Sequence, residues 1–500
     1  MHKALTLGDV VAEIFAYLER GSLAPLSRTC KTLSNPALDA LWRAMASLDP
    51  LYMTLPAGVW TRAADGGLVA GITVPAPADW VRFSAYASRI RELLFVDSDA
   101  YLRPTLLQLV MRHSPFLPNP PLPRLHKLRM NRVCSDAEVA LCLTLLVHPK
   151  LRTLDIVWPS PEIGAAMLSF MQLSCPDIQA LFLGNAGGLL PIALRFTHLR
   201  TFQTNDPDTI LDMRTLMTLA RFPHLRDLTI SGEFTSSSFT EITDDEVDAF
   251  FPSLAYLYFT NVTGVFALAH FLRAIKPGSL QELCLNYTLS QQPAKELRTL
   301  AESIALHKDL LGLALCSQEP TADGVMESSI APLGTLRHLT QVNLTDVLSY
   351  ASPSSAAFDL PLSWTEIQTM HIDCAAWHSQ RPSAVPALAL LEKLLAACPR
   401  LVDLHTALAV AEIPAALGRA RERRAEPLRL TVVLPASRFT TVDPYDVAEY
   451  LSDICPDLEV ACDEVGGTQF PNFRDRWLKV NGWIARINAV RAAERQRMES

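Results

Sequence analysis

One pattern limits what this chain can fold into. An apolar residue is followed by apolar residues three and five places on, and the unit returns along most of the sequence. It appears in "PRLHKLRM", "PKLRTLDI", "PDIQALFL", "PHLRDLTI", "PSLAYLYF" and "GSLQELCL", and again in "KDLLGLAL", "RHLTQVNL" and "TEIQTMHI". The first apolar positions are Leu125, Leu151, Ile178, Leu199, Leu225, Leu254, Leu280, Leu310, Leu339, Ile367 and Leu401. Most intervals are 26 to 30 residues, with one of 21 and one of 34. An earlier copy stands at Ile90, and degraded copies stand near Leu428 and Leu458. Alternation over a few residues is the signature of a half-buried strand. Thr204 and Thr406 interrupt it, each at the last apolar place of its unit.

Proline stands two residues before the marker at Pro123, Pro149, Pro176, Pro223, Pro252, Pro399 and Pro456. It ends whatever helix precedes it and releases the chain into extended backbone. Helix starts lie between the strands. "SDAE" at Ser135 and "TDDE" at Thr243 have the form of capping boxes, and "DPYD" at Asp443 offers an N-cap followed by proline at the first helical position. Each unit therefore reads as strand, loop and helix. Parallel strands joined by helices stack into a curved α/β solenoid in which each repeat covers its neighbour. The asparagine that many such repeats carry after the strand is mostly missing, so the spacing predicts an irregular horseshoe.

The totals exclude several classes. About half of the 500 residues are apolar, which is too many for a disordered chain. No apolar run approaches the roughly 20 residues of a membrane helix, and a net charge of −8 disfavours a general nucleic-acid surface. The ten cysteines form no C-x-x-C pair and read as reduced thiols, three of them in Cys-Pro dipeptides at Cys175, Cys398 and Cys455. Asp9 and Glu13 break the first apolar stretch, so it does not read as a secretory leader, and a cytoplasmic or nuclear location is expected.

The repeat resembles the leucine-rich repeat in its longer-period form, over roughly residues 85 to 465. Ahead of it, "VVAEIFAYLERGSLAPLSRTCKTLSNPALDALW" (Val10 to Trp42) is crowded with apolar residues yet too short to fold alone. Asp9 can cap a helix bearing Val10, Val11, Ile14, Phe15 and Leu18. Ser22 and Pro25 can start a second helix, and Asn35-Pro36 a third with Leu38, Leu41, Trp42 and Met45 on one side. Faces this broad need either the neighbouring repeats or another protein. The stretch resembles the F-box, with Glu13-Ile14-Phe15-Ala16-Tyr17-Leu18 and Leu41-Trp42 at matching places and Leu7-Gly8 where the family has Leu-Pro. "LSRTCKTLSNPALDALW" and "DWVRFSAYASRIREL" fit a fungal branch of that family. Expected boundaries are 1–48 for the F-box-like segment, 49–78 for a connector and 79–470 for the solenoid. The solenoid includes a cap built on Trp80, Phe83, Ala87 and Ile90. A terminal helix over 471–500 then packs through Trp477, Val480, Ile484 and Ile487.

The resemblance implies a substrate-recruiting subunit of a Skp-cullin-type ubiquitin ligase, with no catalytic site of its own. The F-box would dock on a Skp-type adaptor and through it a cullin, and the solenoid would hold an unidentified client protein. By motif position the adaptor-facing residues are Leu7, Val10, Ile14, Leu18, Leu26 and Trp42, which on the other reading close the N-terminal core. A non-ligase scaffold built on the same repeats is the alternative. No phosphate loop, zinc-protease or serine-nucleophile motif occurs, so neither cofactor nor metal is expected.

The place four residues past each marker should line the open face of the sheet. It reads Arg129, Asp155, Phe182, Gln203, Thr229, Tyr258, Cys284, Ala314, Asn343, His371 and His405. Phe182 and Tyr258, with Tyr256 beside the latter, are either client anchors or ordinary decoration of the face. His371 and His405, with Asp373 and Asp403 nearby, read as a client-facing or hydrated polar patch, or as ligands for zinc. "GRARERRAE" at Gly418 reads as a solvated basic run.

Overall fold

A computed structural model describes residues 8–62, 68–95, 119–131, 135–206 except 186, 210–234 except 212, 250–289, 292–318, 329–347, 360–373, 388–406, 412–414, 428–434, 442–464 except 456 and 457, and 471–499, with 108, 110, 408 and 410 singly. Leu7, the "TDDE" box and the basic run at 418–426 lie outside them. The chain divides into two compact units: Met1–Thr209 with Phe222–Ile230, and Ile210–Arg221 with Ser231–Ser500.

In the first unit, β1 (Ala44–Met45), β4 (Glu92–Phe95), β5 (Lys127–Met130), β6 (Thr153–Val157), β7 (Ala180–Gly184), β8 (Thr201–Thr204) and β10 (Asp227–Ser231) pair in that order, every pair parallel. In the second, β12 (Tyr256–Val262), β13 (Glu282–Tyr287), β14 (Gly312–Ser317), β15 (Gln341–Thr345), β16 (Thr369–Asp373), β17 (Asp403–Thr406), β18 (Leu428–Leu434) and β19 (Leu458–Glu464) do the same. A short parallel pair, β9 (Ile210–Leu211) with β11 (Glu233–Phe234), flanks the second ladder. The fold is thus α/β, one parallel strand per repeat.

All eleven markers are buried, together with Ile90, Leu428 and Leu458. Along each strand the buried residues fall three and five places past the marker, as the alternation requires. Thr204 keeps the apolar place of its repeat, fully buried, with no hydrogen-bond partner for its hydroxyl among the described residues. A hydroxyl stripped of water and left unmatched is costly. Thr204→Val should therefore stabilise the first unit by about 1 kcal/mol, read as a higher unfolding midpoint in urea.

Helix boundaries follow local chemistry where the cap is strong. Ser135 accepts from the Glu138 N–H while the Glu138 carboxylate accepts from the Ser135 N–H, starting the helix Asp136–Leu146. Asp443 accepts from the Tyr445 N–H (2.8 Å) ahead of Pro444–Ile454. The repeats are uneven, as expected. Among the described residues, two carry 3-10 turns, at Ala331–Thr335 and Pro361–Ser363, and one a single helical turn at Leu190–Ala193.

At the N-terminus three helices form, Gly8–Ala16, Arg20–Leu26 and Lys31–Arg43. The third starts before Asn35-Pro36, and Pro36 lies inside it. Proline there omits one intrahelical bond, yet the helix continues because Leu33, Ala37, Ala40 and Leu41 all pack on the same small core. The helix then runs directly into β1, which pairs with Glu92 and Leu93. The stretch read as a connector is built structure. It holds the helix Asp49–Tyr52 and an antiparallel hairpin of β2 (Trp60–Arg62) and β3 (Leu68–Ala70), with Leu51, Tyr52, Leu55, Val59 and Leu68 buried. The helix Asp79–Ala87 follows, its Trp80, Phe83 and Ala87 buried along with Ile90.

Candidate functional sites

Two surfaces collect the sequence-predicted residues: the outer side of the first helix and the open face of the sheets. Val11 and Phe15 of the first helix join Leu23 and Ala37 in a buried cluster, against which Leu18, Leu26, Leu33, Ala40 and Leu41 pack partly exposed. That orientation turns the other side of the helix outward. Val10 is 38% exposed, Ile14 43% and Tyr17, just past the helix end, 81%. Positions i and i+4 share one side of a helix, so Val10 and Ile14 form an outward apolar pair that the exposed Tyr17 follows.

The other adaptor-motif residues are divided. Leu18 also lines a cavity of about 540 Å³ between the helical segment and the first strands, with Arg20, Leu41 and Arg91 among its walls. Trp42 stacks on Tyr86, ring centroids 4.6 Å apart. Arg89 donates to the Asn35 carbonyl (3.2 Å) and to Asn35 Oδ1 (3.0 Å) and pairs with Asp39. Trp42 and Arg89 together fix the third helix to the segment that carries the cap.

On the open face, strand register sets the predicted row side by side. In the first unit it runs Leu94, Arg129, Asp155, Phe182, Gln203, Thr229. A cavity of about 570 Å³ lies over it, walled by Lys127, Arg129, Asp155, Phe182, Gln203 and their neighbours. Arg129 Nε sits 2.7 Å from Asp155 Oδ2, a close ion pair and not an aligned hydrogen bond. Burial pushes the Asp155 carboxyl above its ordinary value, opposed by the charges of Arg129 and Lys127.

In the second unit the row runs Tyr258, Cys284, Ala314, Asn343, His371, His405, Thr431, Ala461. Tyr258 is 39% exposed, and Tyr256 lies two residues before it on the same face. Burial pushes the Cys284 thiol up to about 12 and raises Cys316 as well, so both stay protonated and weakly nucleophilic. The His371 and His405 rings stack, centroids 3.9 Å apart and planes 19° apart. Stacked rings do not converge on one point. Among the described residues no three His, Cys, Asp or Glu side chains gather as metal ligands. Four strand steps of about 4.8 Å separate Tyr258 from His371, so the aromatic pair and the histidine pair are separate features roughly 19 Å apart.

Sequence reasoning placed Arg129 and Asp155 in the row but missed their pairing. The signal was present: opposite charges at the same place of adjacent repeats become cross-strand neighbours in a parallel array. No protein-family model matches this chain, and no curated protein is significantly similar to it. Among the described residues no helix is long and apolar enough to cross a membrane.

Proposed function

We infer that the chain is a substrate-recruiting F-box subunit of a Skp-cullin-type ubiquitin ligase, with the client held on the open face of its leucine-rich-repeat-like units. The observation that carries this reading is the outward pair Val10 and Ile14, with Tyr17 just past the helix end, on a helix whose opposite side already holds the local core. A helix needs only one apolar side for its own packing, so a second one has a use when another protein covers it. The residues around it match the F-box pattern at Glu13 to Leu18 and at Leu41-Trp42. The mechanism is positional. Docking through the first helix and client capture on the open face raise the local concentration of client lysines near a carried ubiquitin, and the chain supplies no chemistry of its own.

Deleting residues 1–45 is a poor test, because it removes β1 from the sheet edge and Trp42 from Tyr86. Val10→Asp with Ile14→Asp is cleaner, since both side chains already face water. Tagged full-length chain should recover a Skp-type adaptor and a cullin from cells. The double variant should recover both at least about tenfold less, because a charge buried in an apolar interface without a partner costs several kcal/mol. Undiminished recovery of both would sink the assignment. Adaptor without cullin in the wild-type sample would favour the scaffold alternative.

A further inference from the structure

The cavity on the open face of the first unit has an unbalanced set of polar groups. Each of the carboxylates Glu92, Asp155 and Asp227 has a cation or a donor beside it. Glu92 lies 3.8 Å from Arg43 Nε and 4.0 Å from Lys127 Nζ. Asp155 has Arg129 Nε, and Asp227 accepts from the Thr201 hydroxyl at 2.8 Å. The donors are not used up in the same way. Asp155 lies 2.7 Å from Arg129 Nε, and the two terminal NH2 groups of the guanidinium make no hydrogen bond to protein among the described residues. Lys127 is held only at the outer limit of an ion pair. Both line the cavity.

An arginine tethered through Nε presents its remaining fork at reduced entropic cost, and that fork matches the two oxygens of a carboxylate. One strand beyond Asp155 stands Phe182, a half-buried ring on the same floor. One strand further, Gln203 Nε2 donates to Asn205 Oδ1 at 2.8 Å, which orients an amide pair at the rim. Cation, aromatic ring and side-chain amides follow one another across three strand steps, about 14 Å, which is the reach of four or five extended residues.

We propose that this cavity binds an extended acidic peptide, with a carboxylate on the Arg129 fork and Lys127 and the adjoining apolar side chain on Phe182. This rests on reading the chain as a client receptor and names the client's recognition element. The carboxylate can come from an Asp or Glu side chain or from a free chain end. Its two oxygens take the terminal guanidinium donors while Asp155 stays on Nε.

The test uses purified full-length chain without adaptor, so it is independent of adaptor capture. The probe is the hexapeptide Ac-Gly-Ser-Asp-Phe-Ser-Gly-amide, titrated by calorimetry beside versions with Asn or Lys in place of Asp. Ac-Ser-Gly-Ser-Gly-Phe with a free carboxyl end separates the second source of charge. The Asp peptide, the free-end peptide or both should bind at least about tenfold tighter than the Asn and Lys forms, and rising salt should weaken the interaction. Arg129→Gln should abolish that preference, and Phe182→Ala should weaken binding of all forms. Arg129→Gln with Asp155→Asn leaves no unpaired carboxylate and controls for a folding defect. Equal or tighter binding of the Lys peptide overturns the proposal. So does an acid preference that survives in the paired variant, or the absence of binding by every peptide.

Discussion

Trp477→Ala should loosen the end of the second unit by about 3–5 kcal/mol, the usual cost of emptying a buried tryptophan site. The helix Pro471–Glu499 lies against Pro444–Ile454 and β19, with Trp477, Val480 and Ile484 buried and Ile487 half-buried on the same side. Strand β19 is the last of its ladder, and among the described residues no further strand pairs with its outer edge. The helix supplies part of what is missing. Asn481 Oδ1 accepts from the Val460 N–H at 3.2 Å, which satisfies an edge amide that a further strand would otherwise take. Farther along, Ser452 donates to Asn488 and Arg491 pairs with Asp453. Loss of Trp477 removes the anchor that holds this set in place. Amide exchange in β18 and β19 should then speed up by about a hundredfold or more, since 1.4 kcal/mol is a factor of ten. Trp483→Ala is the internal control. That ring lies edge-on to Tyr445 and under Arg486 at the surface, and its loss should cost under about 1 kcal/mol. Equal effects from the two variants would show that the helix is not held by its buried side.

The terminal helix was legible because its apolar positions repeat at helical spacing, and the strands because eleven markers repeat at near-constant intervals. Burial of Leu125, Leu280 and Leu310 follows from that arithmetic alone. What was not legible depends on partners distant in the chain. Ala44 and Met45 form a strand because the edge of Glu92–Leu93 is open beside them, and two residues carry no pattern of their own. The segment 49–78 looked like a connector because proline, glycine and alanine dominate it, yet Leu51, Tyr52, Val59 and Leu68 are enough to pack it. The candidate sites divide in the same way. Which residues share the open face follows from period-two alternation. That Arg129 leans on Asp155 while His371 stacks flat on His405 depends on side-chain geometry that spacing does not encode.

Trp364→Ala should be as damaging in the middle of the second unit, where Trp364 ties together the turns that precede two strands. The units that lead into β15 and β16 carry 3-10 turns, Ala331–Thr335 and Pro361–Ser363, where their neighbours have longer helices. Trp364 packs between these turns and the strands as one of the largest fully buried side chains. Its indole Nε1 donates to the Leu333 carbonyl at 3.1 Å, which ties one turn to the preceding one. Its own carbonyl accepts from Cys398 Sγ at 3.5 Å, which ties it to the next. Truncation to alanine opens a cavity and strands the Leu333 carbonyl, so about 3–5 kcal/mol is expected. Trp364→Phe keeps most of the volume and loses the donor, and should cost nearer 1–2 kcal/mol. Amide exchange at Val342, Leu344, Met370 and Ile372 measures both. If alanine and phenylalanine cost the same, the hydrogen bond and not the volume holds these turns. If alanine costs less than about 1 kcal/mol, the surrounding turns close over the space and the tryptophan is not their anchor.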